Sequence, residues 1–270
     1  MKFFLLILFS TISLNGQNGK YIYSYEFIFD KNTPNQLSRE LMILNIKNKS
    51  SKFYSYEKFK SDSTRQVFAK HHLFFMPEDK NYINFMISKN IKDGDVKNFT
   101  AIYPNFYNVV ENLHFQWKIT NKRDVILTHE VISASVNFGG RDWTAWFSPD
   151  IPIQDGPYKF FGLPGLIMKM EDSSKTHTFT LIGIENLKNI SEYPITNENS
   201  SPLQITRLQY GKIFKEYRND PLKSFRGRYP DQTHSEGNFR TGAQVFRESE
   251  KIFKKNIGKD NNIIELDLLK

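Results

Sequence analysis

Histidine is the first side chain to consider for chemistry in this sequence, because imidazole serves both as a metal ligand and as a general base near neutral pH. His129 precedes Glu130, but position 133 is Ser133, so the H-E-x-x-H spacing of a zinc site is not formed. Adjacent histidines at 71 and 72 would point to opposite faces of a strand. We therefore predict structural or exposed histidines and no metal site. The full set is His71, His72, His114, His129, His177 and His234.

Paired carboxylates are the second candidate, because a glycosidase needs only two acidic side chains. Glu171-Asp172 ends a predicted strand and Glu78-Asp79 follows a proline, so both pairs have the composition of turns. They leave open a hydrolase that uses carboxylates or a scattered histidine. The sequence contains no G-x-S-x-G elbow, no phosphate-binding loop and no G-x-G-x-x-G fingerprint. It therefore predicts no cofactor and favours a protein that is not an enzyme.

The N-terminal residues have the composition of an export signal. Lys2 gives a short positive region, residues 3–14 (FFLLILFSTISL) are apolar, and residues 15–17 are small or polar, as at a cleavage point. The apolar run is shorter than the roughly 20 residues of a membrane-spanning helix, and no second run approaches that length. We predict that residues 1–17 are a signal peptide and that the mature protein is periplasmic or secreted. Because the chain has no cysteine, it is not a lipoprotein and has no disulfides.

The net charge of +8 favours anionic surfaces such as phospholipid headgroups, and export argues against nucleic acid as a partner. Residues 210–229 (YGKIFKEYRNDPLKSFRGRY) combine aromatic and basic side chains and have two interpretations. The first is a segment that binds a membrane surface. The second, which we favour, is an amphipathic helix that packs on the rest of the protein.

Period-two alternation predicts a protein that is mainly β. Tyr21, Tyr23, Tyr25, Phe27 and Phe29 share one face of the first strand. Further short strands follow at intervals of about ten residues, which is typical of an antiparallel sandwich or barrel, and the pair at positions 139 and 140 predicts a Gly-Gly hairpin turn. The predicted ranges are 41–46, 52–59, 81–88, 115–120, 131–138, 142–147, 166–171 and 177–185, with 263–269 as a last strand.

Two amphipathic helices are predicted in the C-terminal part, from about residue 203. Apolar residues at helical spacing mark the first, which Pro221 ends, and the second spans residues 243–257. The sequence contains no internal repeat and no clear second domain. We therefore predict one α+β domain over residues 18–270, a curved antiparallel sheet that forms a sandwich or a partly open barrel, with two C-terminal amphipathic helices.

A run rich in glycine and proline lies between two predicted strands. Residues 146–170 read WFSPDIPIQDGPYKFFGLPGLIMKM. Glycine reaches φ values closed to other residues and proline fixes φ, so the run favours a rigid corner that joins two hairpins. The alternative is a recognition loop at the lip of an apolar cavity. The run holds no nucleophile within its hexapeptide, which consists of Gly162, Leu163, Pro164, Gly165, Leu166 and Ile167.

The same run resembles the signature of the GLPGLI family of exported bacterial proteins. The resemblance rests on the hexapeptide together with Arg141, Trp146 and residues 150–152 at their spacing, and it is dense over residues 136–172. It implies a β-rich exported protein of unassigned role, with these residues as the family signature. Many members carry a cysteine before the strand at 133–138, and this chain has none.

These features favour an exported, non-enzymatic protein of the cell envelope that binds an apolar ligand or a lipid, an analogy at the level of the fold. One alternative is a module that binds an envelope protein in an outer-membrane import or assembly system. The other is the carboxylate-dependent hydrolase. The geometry around the hexapeptide discriminates between them, because a hydrolase requires a cleft that gathers Arg141 and Asp155 with His or Glu residues.

Overall fold

A computed structural model describes residues 18–48, 50–73, 83–185, 193–194, 202–233 and 239–270. These residues are mainly β with three α-helices, which confirms the predicted α+β class. The predicted signal peptide at 1–17, the acidic pair at 78 and 79 and the histidine at 234 lie outside the described residues.

Twelve strands of the described residues form one open sheet in the order β12-β6-β5-β4-β3-β2-β1-β11-β10-β9-β8-β7. Gln232–Thr233 and Phe239–Arg240 form a separate two-stranded ribbon, β13 and β14. The bounds of the twelve strands are β1 Gly19–Phe27, β2 Ser38–Lys47, β3 Ser50–Ser55, β4 Met86–Asn90, β5 Asp95–Ile102, β6 Asn105–Asn112, β7 Lys118–Ile126, β8 His129–Phe138, β9 Arg141–Ser148, β10 Leu166–Asp172, β11 His177–Glu185 and β12 Leu203–Thr206.

The prediction of a wholly antiparallel sheet is wrong at one edge. β12 pairs with β6 in parallel, with Leu203 opposite Tyr107 and Thr206 opposite Val110. Parallel neighbours need a long crossover connection, and the chain between β6 and β12 includes the other half of the sheet. The sequence pattern around Ile205 predicted only a helix there, because four residues are too few to show alternation.

The first strand lies in the middle of the sheet, between β2 and β11. Tyr21, Tyr23, Tyr25 and Phe27 are each at most 2% exposed, as the alternation predicted. Tyr25 stacks on Phe179 of β11 with ring centroids 4.1 Å apart. Burial of each aromatic side chain stabilises the fold by about 2 kcal/mol, so this face anchors the core.

The Gly-Gly turn between β8 and β9 is confirmed. Gly139 and Gly140 have φ of +63° and +76°, which other residues rarely adopt. A Cβ on Gly139 would lie 3.0 Å from Cα of Glu265, so the turn also allows the C-terminal segment to approach closely.

The three helices are α1 Tyr56–Lys70, α2 Arg207–Asn219 and α3 Gly242–Lys259. α2 and α3, both predicted, begin with capping boxes at Thr206 and Thr241. α1 was not predicted. Within the described ranges, no helix is both long and apolar enough to cross a membrane.

Several predicted boundaries are wrong for local reasons. The strand predicted over 52–59 ends at Ser55, whose side chain accepts a hydrogen bond from the backbone of Lys58 and caps α1. The strand predicted over 115–120 begins only at Lys118. The hairpin of β5 and β6 was not predicted. Residues 263–269 are not a strand, and Leu266–Leu269 form a 3-10 helix.

Candidate functional site

The signature hexapeptide forms a packed corner. Leu163, Leu166 and Ile167 are at most 1% exposed, whereas Gly162 and Pro164 face solvent. Backbone hydrogen bonds hold the corner to the preceding loop, from Gly162 to Gln154 O (3.0 Å), from Leu166 to Ile151 O (3.0 Å) and from Ile167 to Asp155 O (2.9 Å).

The second glycine of the hexapeptide is required by close packing. A Cβ on Gly165 would lie 2.1 Å from the carbonyl oxygen of Ser148 at the end of β9. The first glycine has φ of +93°, and among the described residues beyond its chain neighbours only Trp117 lies within 4 Å of where its Cβ would be. Gly165 is therefore fixed by sterics and Gly162 by conformation.

A buried ion pair lies behind the corner. Lys89 of β4 contacts Asp155 at 2.5 Å, and neither side chain is exposed. Nζ of Lys89 also donates to the carbonyl oxygen of Gly156 (2.6 Å). Burial lowers the pKa of Lys89, and the charge of Asp155 opposes that shift. The pair ties the loop before the hexapeptide to the sheet.

Arg141 lies in a different cluster, at the end of the sheet where the C-terminal segment crosses. Its guanidinium pairs with Asp172 (2.8 Å) and donates to Oδ1 of Asn262 (2.6 Å). It also donates to the carbonyl oxygens of Ile263 (2.8 Å) and Ile264 (3.1 Å). The carbonyl oxygens of Ile263 and Ile264 thus bond a side chain and not a neighbouring strand.

His177 completes this cluster in its neutral form. Its Nε2 lies 2.7 Å from the carbonyl oxygen of Asn262, which can only accept, so Nε2 carries the proton. Nδ1 therefore accepts from the hydroxyl of Tyr25 at 2.7 Å. Burial first, and then the charge of Arg141, lowers the pKa of His177 to about 4.

A second charged cluster lies beneath the 3-10 helix. Lys159, only 1% exposed, pairs with Glu111 of β6 and at 2.6 Å with Glu265. Arg207 at the start of α2 pairs with Glu265 (2.5 Å) and Asp267 (2.9 Å). Burial raises the pKa of Glu111 despite Lys159. Burial also acts to raise that of Glu265, but Lys159 and Arg207 lower it overall.

The two clusters border a cavity of about 230 Å³. Its walls come from one face of β1, from one face of the neighbouring strands β5 and β6, from α2 and from the C-terminal segment. Apolar side chains dominate, and polar groups lie around them. The residues that line it include Phe27, Phe29, Asn98, Val109, Lys159, His177, Arg207, Tyr210, Phe214, Asp260, Glu265 and Leu268.

One residue of the cavity wall, Asn98, carries a side-chain oxygen that the protein encloses. Asn98 of β5 is 8% exposed, and its Oδ1 has no hydrogen-bond partner among the described residues. Asn98 lies directly opposite Val109 of β6. A buried acceptor without a partner costs about 1–3 kcal/mol.

A wider depression of about 600 Å³ lies near β8 and β9. It is lined by Phe115, Ser135, Asn137 and Asp142 among others. Among the described residues that line it, no buried side-chain polar atom lacks a partner. The smaller cavity is therefore the better candidate site.

The signature residues are not among the described residues that line the cavity. Within the described part of the chain, neither the hexapeptide nor Arg141 nor Trp146 contributes to its wall. The wall instead takes Tyr158 and Lys159, which precede the hexapeptide, and residues 262–265, which Arg141 holds. Arg141 and Asp155 lie in separate clusters, contrary to the cleft that a hydrolase would need.

Patterns in the sequence did not mark most of the cavity residues as members of a site. Asn98 lies in β5, which was not predicted. Glu265 lies in a segment that was predicted as a strand and is not one. The alternation of β1 did mark Phe27 and Phe29 as one face. The described residues contain no group of three or more His, Asp or Glu side chains that could hold a metal.

Comparisons with known proteins give a family description and a fold. Residues 44–169 match the model of a family described as "Protein of unknown function (Porph_ging)". The matched range contains Arg141, Trp146 and the hexapeptide, and the GLPGLI name stays a resemblance. No curated protein has significant sequence similarity to the chain.

Two solved structures of PNGF-II are similar to this chain. The structure in space group P21 is 14% identical to this chain, with a TM-score of 0.53, and the match covers 73% of this chain and 33% of the PNGF-II chain. The structure in space group C2 is 14% identical, with a TM-score of 0.52, and the match covers 72% of this chain and 32% of the PNGF-II chain. The chain thus spans about a third of the length of PNGF-II. At this identity the likeness shows the fold alone.

Proposed function

We propose that this protein is exported to the periplasm or secreted and there binds a small apolar molecule, without catalysing a reaction. The observation that carries the proposal is the cavity of about 230 Å³ between the sheet, α2 and the C-terminal segment. The composition of residues 1–17 supports export.

The lining of the cavity fits an apolar ligand. Phe27, Phe29 and Phe214 present rings to it, and Val109 and Leu268 add aliphatic surface. Concave, mostly apolar sites with a few polar groups are the usual form of small-molecule sites. Transfer of apolar ligand surface from water into such a site releases about 25 cal/mol per Å².

The volume limits the size of the ligand. Sites for drug-sized molecules measure about 300–1,000 Å³, and an engineered apolar cavity of about 150 Å³ holds benzene. A cavity of about 230 Å³ therefore suits a single substituted ring or a short hydrocarbon chain. A phospholipid with two acyl chains is too large for it.

Toluene binding tests the proposal. We expect saturable binding of toluene to the folded protein, detected by chemical-shift changes of cavity residues, and about tenfold weaker binding to Val109→Phe, whose ring fills the cavity. Leu268→Phe, at a partly exposed position, is a second filling variant in case Val109→Phe does not fold. Val125→Phe makes the same change at a 62% exposed position in β7 and is the control.

Two outcomes would overturn the proposal. One is a folded wild-type protein that does not bind toluene. The other is a folded Val109→Phe or Leu268→Phe variant that binds it as the wild type does.

A further inference from the structure

The apolar side of α3 is covered by the protein at its start and open further along. Val245 is 8% exposed, and the ring of Phe246 packs against that of Tyr229 with centroids 5.6 Å apart. Residues that follow by seven positions lie on the same side of an α-helix, so Ile252 and Phe253 continue this apolar side. They are 59% and 42% exposed. Within the described part of the chain, the second half of α3 therefore presents two large apolar side chains to solvent.

Basic side chains surround this exposed pair. Residues 251–259 (KIFKKNIGK) contain no carboxylate. Lys251 and Lys255 lie one helical turn apart beside Ile252, and Arg247 lies one turn before Lys251. All three basic side chains are exposed, and none of them forms an ion pair among the described residues.

The carboxylates near this part of α3 are each accompanied by a basic side chain of their own. They are Glu248 with Arg240, Glu250 with Lys254, Asp260 with Arg218 and, at longer range, Asp30 with Lys259. The formal charges within these four pairs cancel. The charges of Lys251, Lys255 and Arg247 therefore stay uncompensated, and they make this surface complementary to an anionic one.

The shape of the surface favours a bilayer over a protein. The apolar pair stands on the outside of a single helix, and neither the cavity nor the wider depression includes a described residue of α3. A stable protein interface needs about 1,000 Å² of complementary surface, which is more than two side chains offer. A bilayer needs no matching groove, and helices that lie in its surface combine apolar side chains with Lys and Arg in this way.

We propose that α3 binds the surface of a membrane that contains anionic phospholipids. Ile252 and Phe253 insert at the boundary between headgroups and acyl chains, and Lys251, Lys255 and Arg247 meet the headgroup phosphates. The inference goes beyond the proposed function, because the described wall of the cavity includes no residue of α3.

Flotation with lipid vesicles tests the inference. One set of vesicles contains equal amounts of phosphatidylglycerol and phosphatidylcholine, and the other contains phosphatidylcholine alone. We expect the wild-type protein to bind the anionic vesicles at least about tenfold more tightly than the neutral ones, because each basic side chain near an anionic surface adds to the affinity. Binding should weaken as the salt concentration rises.

Two double variants separate the apolar and the basic contributions. Ile252→Ser with Phe253→Ser removes the inserted side chains and should weaken binding to the anionic vesicles by about tenfold or more. Lys251→Gln with Lys255→Gln removes two charges and should weaken it by about tenfold or more. The lysines are exposed, so this second variant decides the question if the first does not fold.

Matched controls are available on β7. Ile119 and Val125 are 54% and 62% exposed, and their joint replacement by serine should leave vesicle binding unchanged. Lys118→Gln with Lys122→Gln, also at exposed positions, lowers the net charge of the chain as much as the lysine variant of α3 does. It should bind the anionic vesicles as the wild type does.

Four outcomes would overturn the inference. The first is a wild-type protein that binds neither kind of vesicle, and the second is one that binds both equally. The third is a folded α3 variant that binds the anionic vesicles as the wild type does. The fourth is binding to polyglutamate without binding to anionic vesicles, which would assign the surface to an acidic protein. None of these outcomes bears on the binding of toluene, so the proposed function is tested separately.

Discussion

Nη2 of Arg141 donates a 2.6 Å hydrogen bond to Oδ1 of Asn262, which lies 121 positions later in the chain. Asn262 in turn donates from its backbone to Phe29 O (3.0 Å) and from Nδ2 to Ile28 O (2.7 Å). The C-terminal segment is thus fastened both to β9 and to the end of β1. Because residues 262–265 form a wall of the cavity, this link joins a signature residue to the candidate site.

Replacement of Arg141 by lysine should destabilise the fold although the charge is kept. Lysine cannot donate to Asn262, Asp172 and two carbonyl oxygens at once, so buried acceptors lose partners. We expect Arg141→Lys to lower the free energy of unfolding by about 3 kcal/mol, measured by urea denaturation. Arg123→Lys, at an exposed pair with Glu130, should change it by less than about 0.5 kcal/mol. Equal effects of the two substitutions would contradict the role of Arg141.

The two glycines of the hexapeptide should differ in their tolerance of alanine. At Gly165 the added Cβ meets the carbonyl oxygen of Ser148, so the backbone must move. At Gly162 there is space, and the cost is conformational strain of about 1–3 kcal/mol. We expect Gly165→Ala to be the more destabilising substitution by at least about 1 kcal/mol in thermal or urea unfolding. The reverse order would show that the packing at Ser148 is not tight.

Local features of the fold were predictable from the sequence, and long-range ones were not. Alternation marked the buried face of β1, and Gly139-Gly140 marked the hairpin turn, because both signals lie within a few residues. α1 was not predicted, because the aromatic pattern of residues 52–59 continues that of a strand beyond Ser55. Ser55 is the residue that caps the helix. The site is made by contacts such as that of Glu265 with Lys159, which no local pattern encodes.

Replacement of Lys89 alone should destabilise the fold more than replacement of both Lys89 and Asp155. Lys89→Met leaves Asp155 charged in a fully buried site, and we expect it to cost about 3–5 kcal/mol in urea denaturation. Adding Asp155→Asn removes the uncompensated charge and keeps the oxygen that accepts from the backbone of Gly156. The double variant should recover at least about 2 kcal/mol.

The control for this cycle is Lys254→Met, at an exposed helical pair with Glu250, where we expect a change of less than about 0.5 kcal/mol. A double variant no more stable than Lys89→Met would show that the ion pair is not the main effect of the substitution.

The stability of the fold should fall between pH 7 and pH 5 because of His177. Its pKa is about 4 in the folded protein and about 6.5 when unfolded, so in this range the unfolded chain binds the additional proton. The contribution is fully present above pH 6.5 and is lost as the pH falls towards 4. We expect the free energy of unfolding to drop by about 2 kcal/mol between pH 7 and pH 5. Urea denaturation at both values measures the drop, which His177→Gln should largely abolish. The control is His71→Gln, at an exposed residue at the end of α1, and we expect the drop to remain in that variant. A drop that persists in His177→Gln would assign the pH dependence to another group.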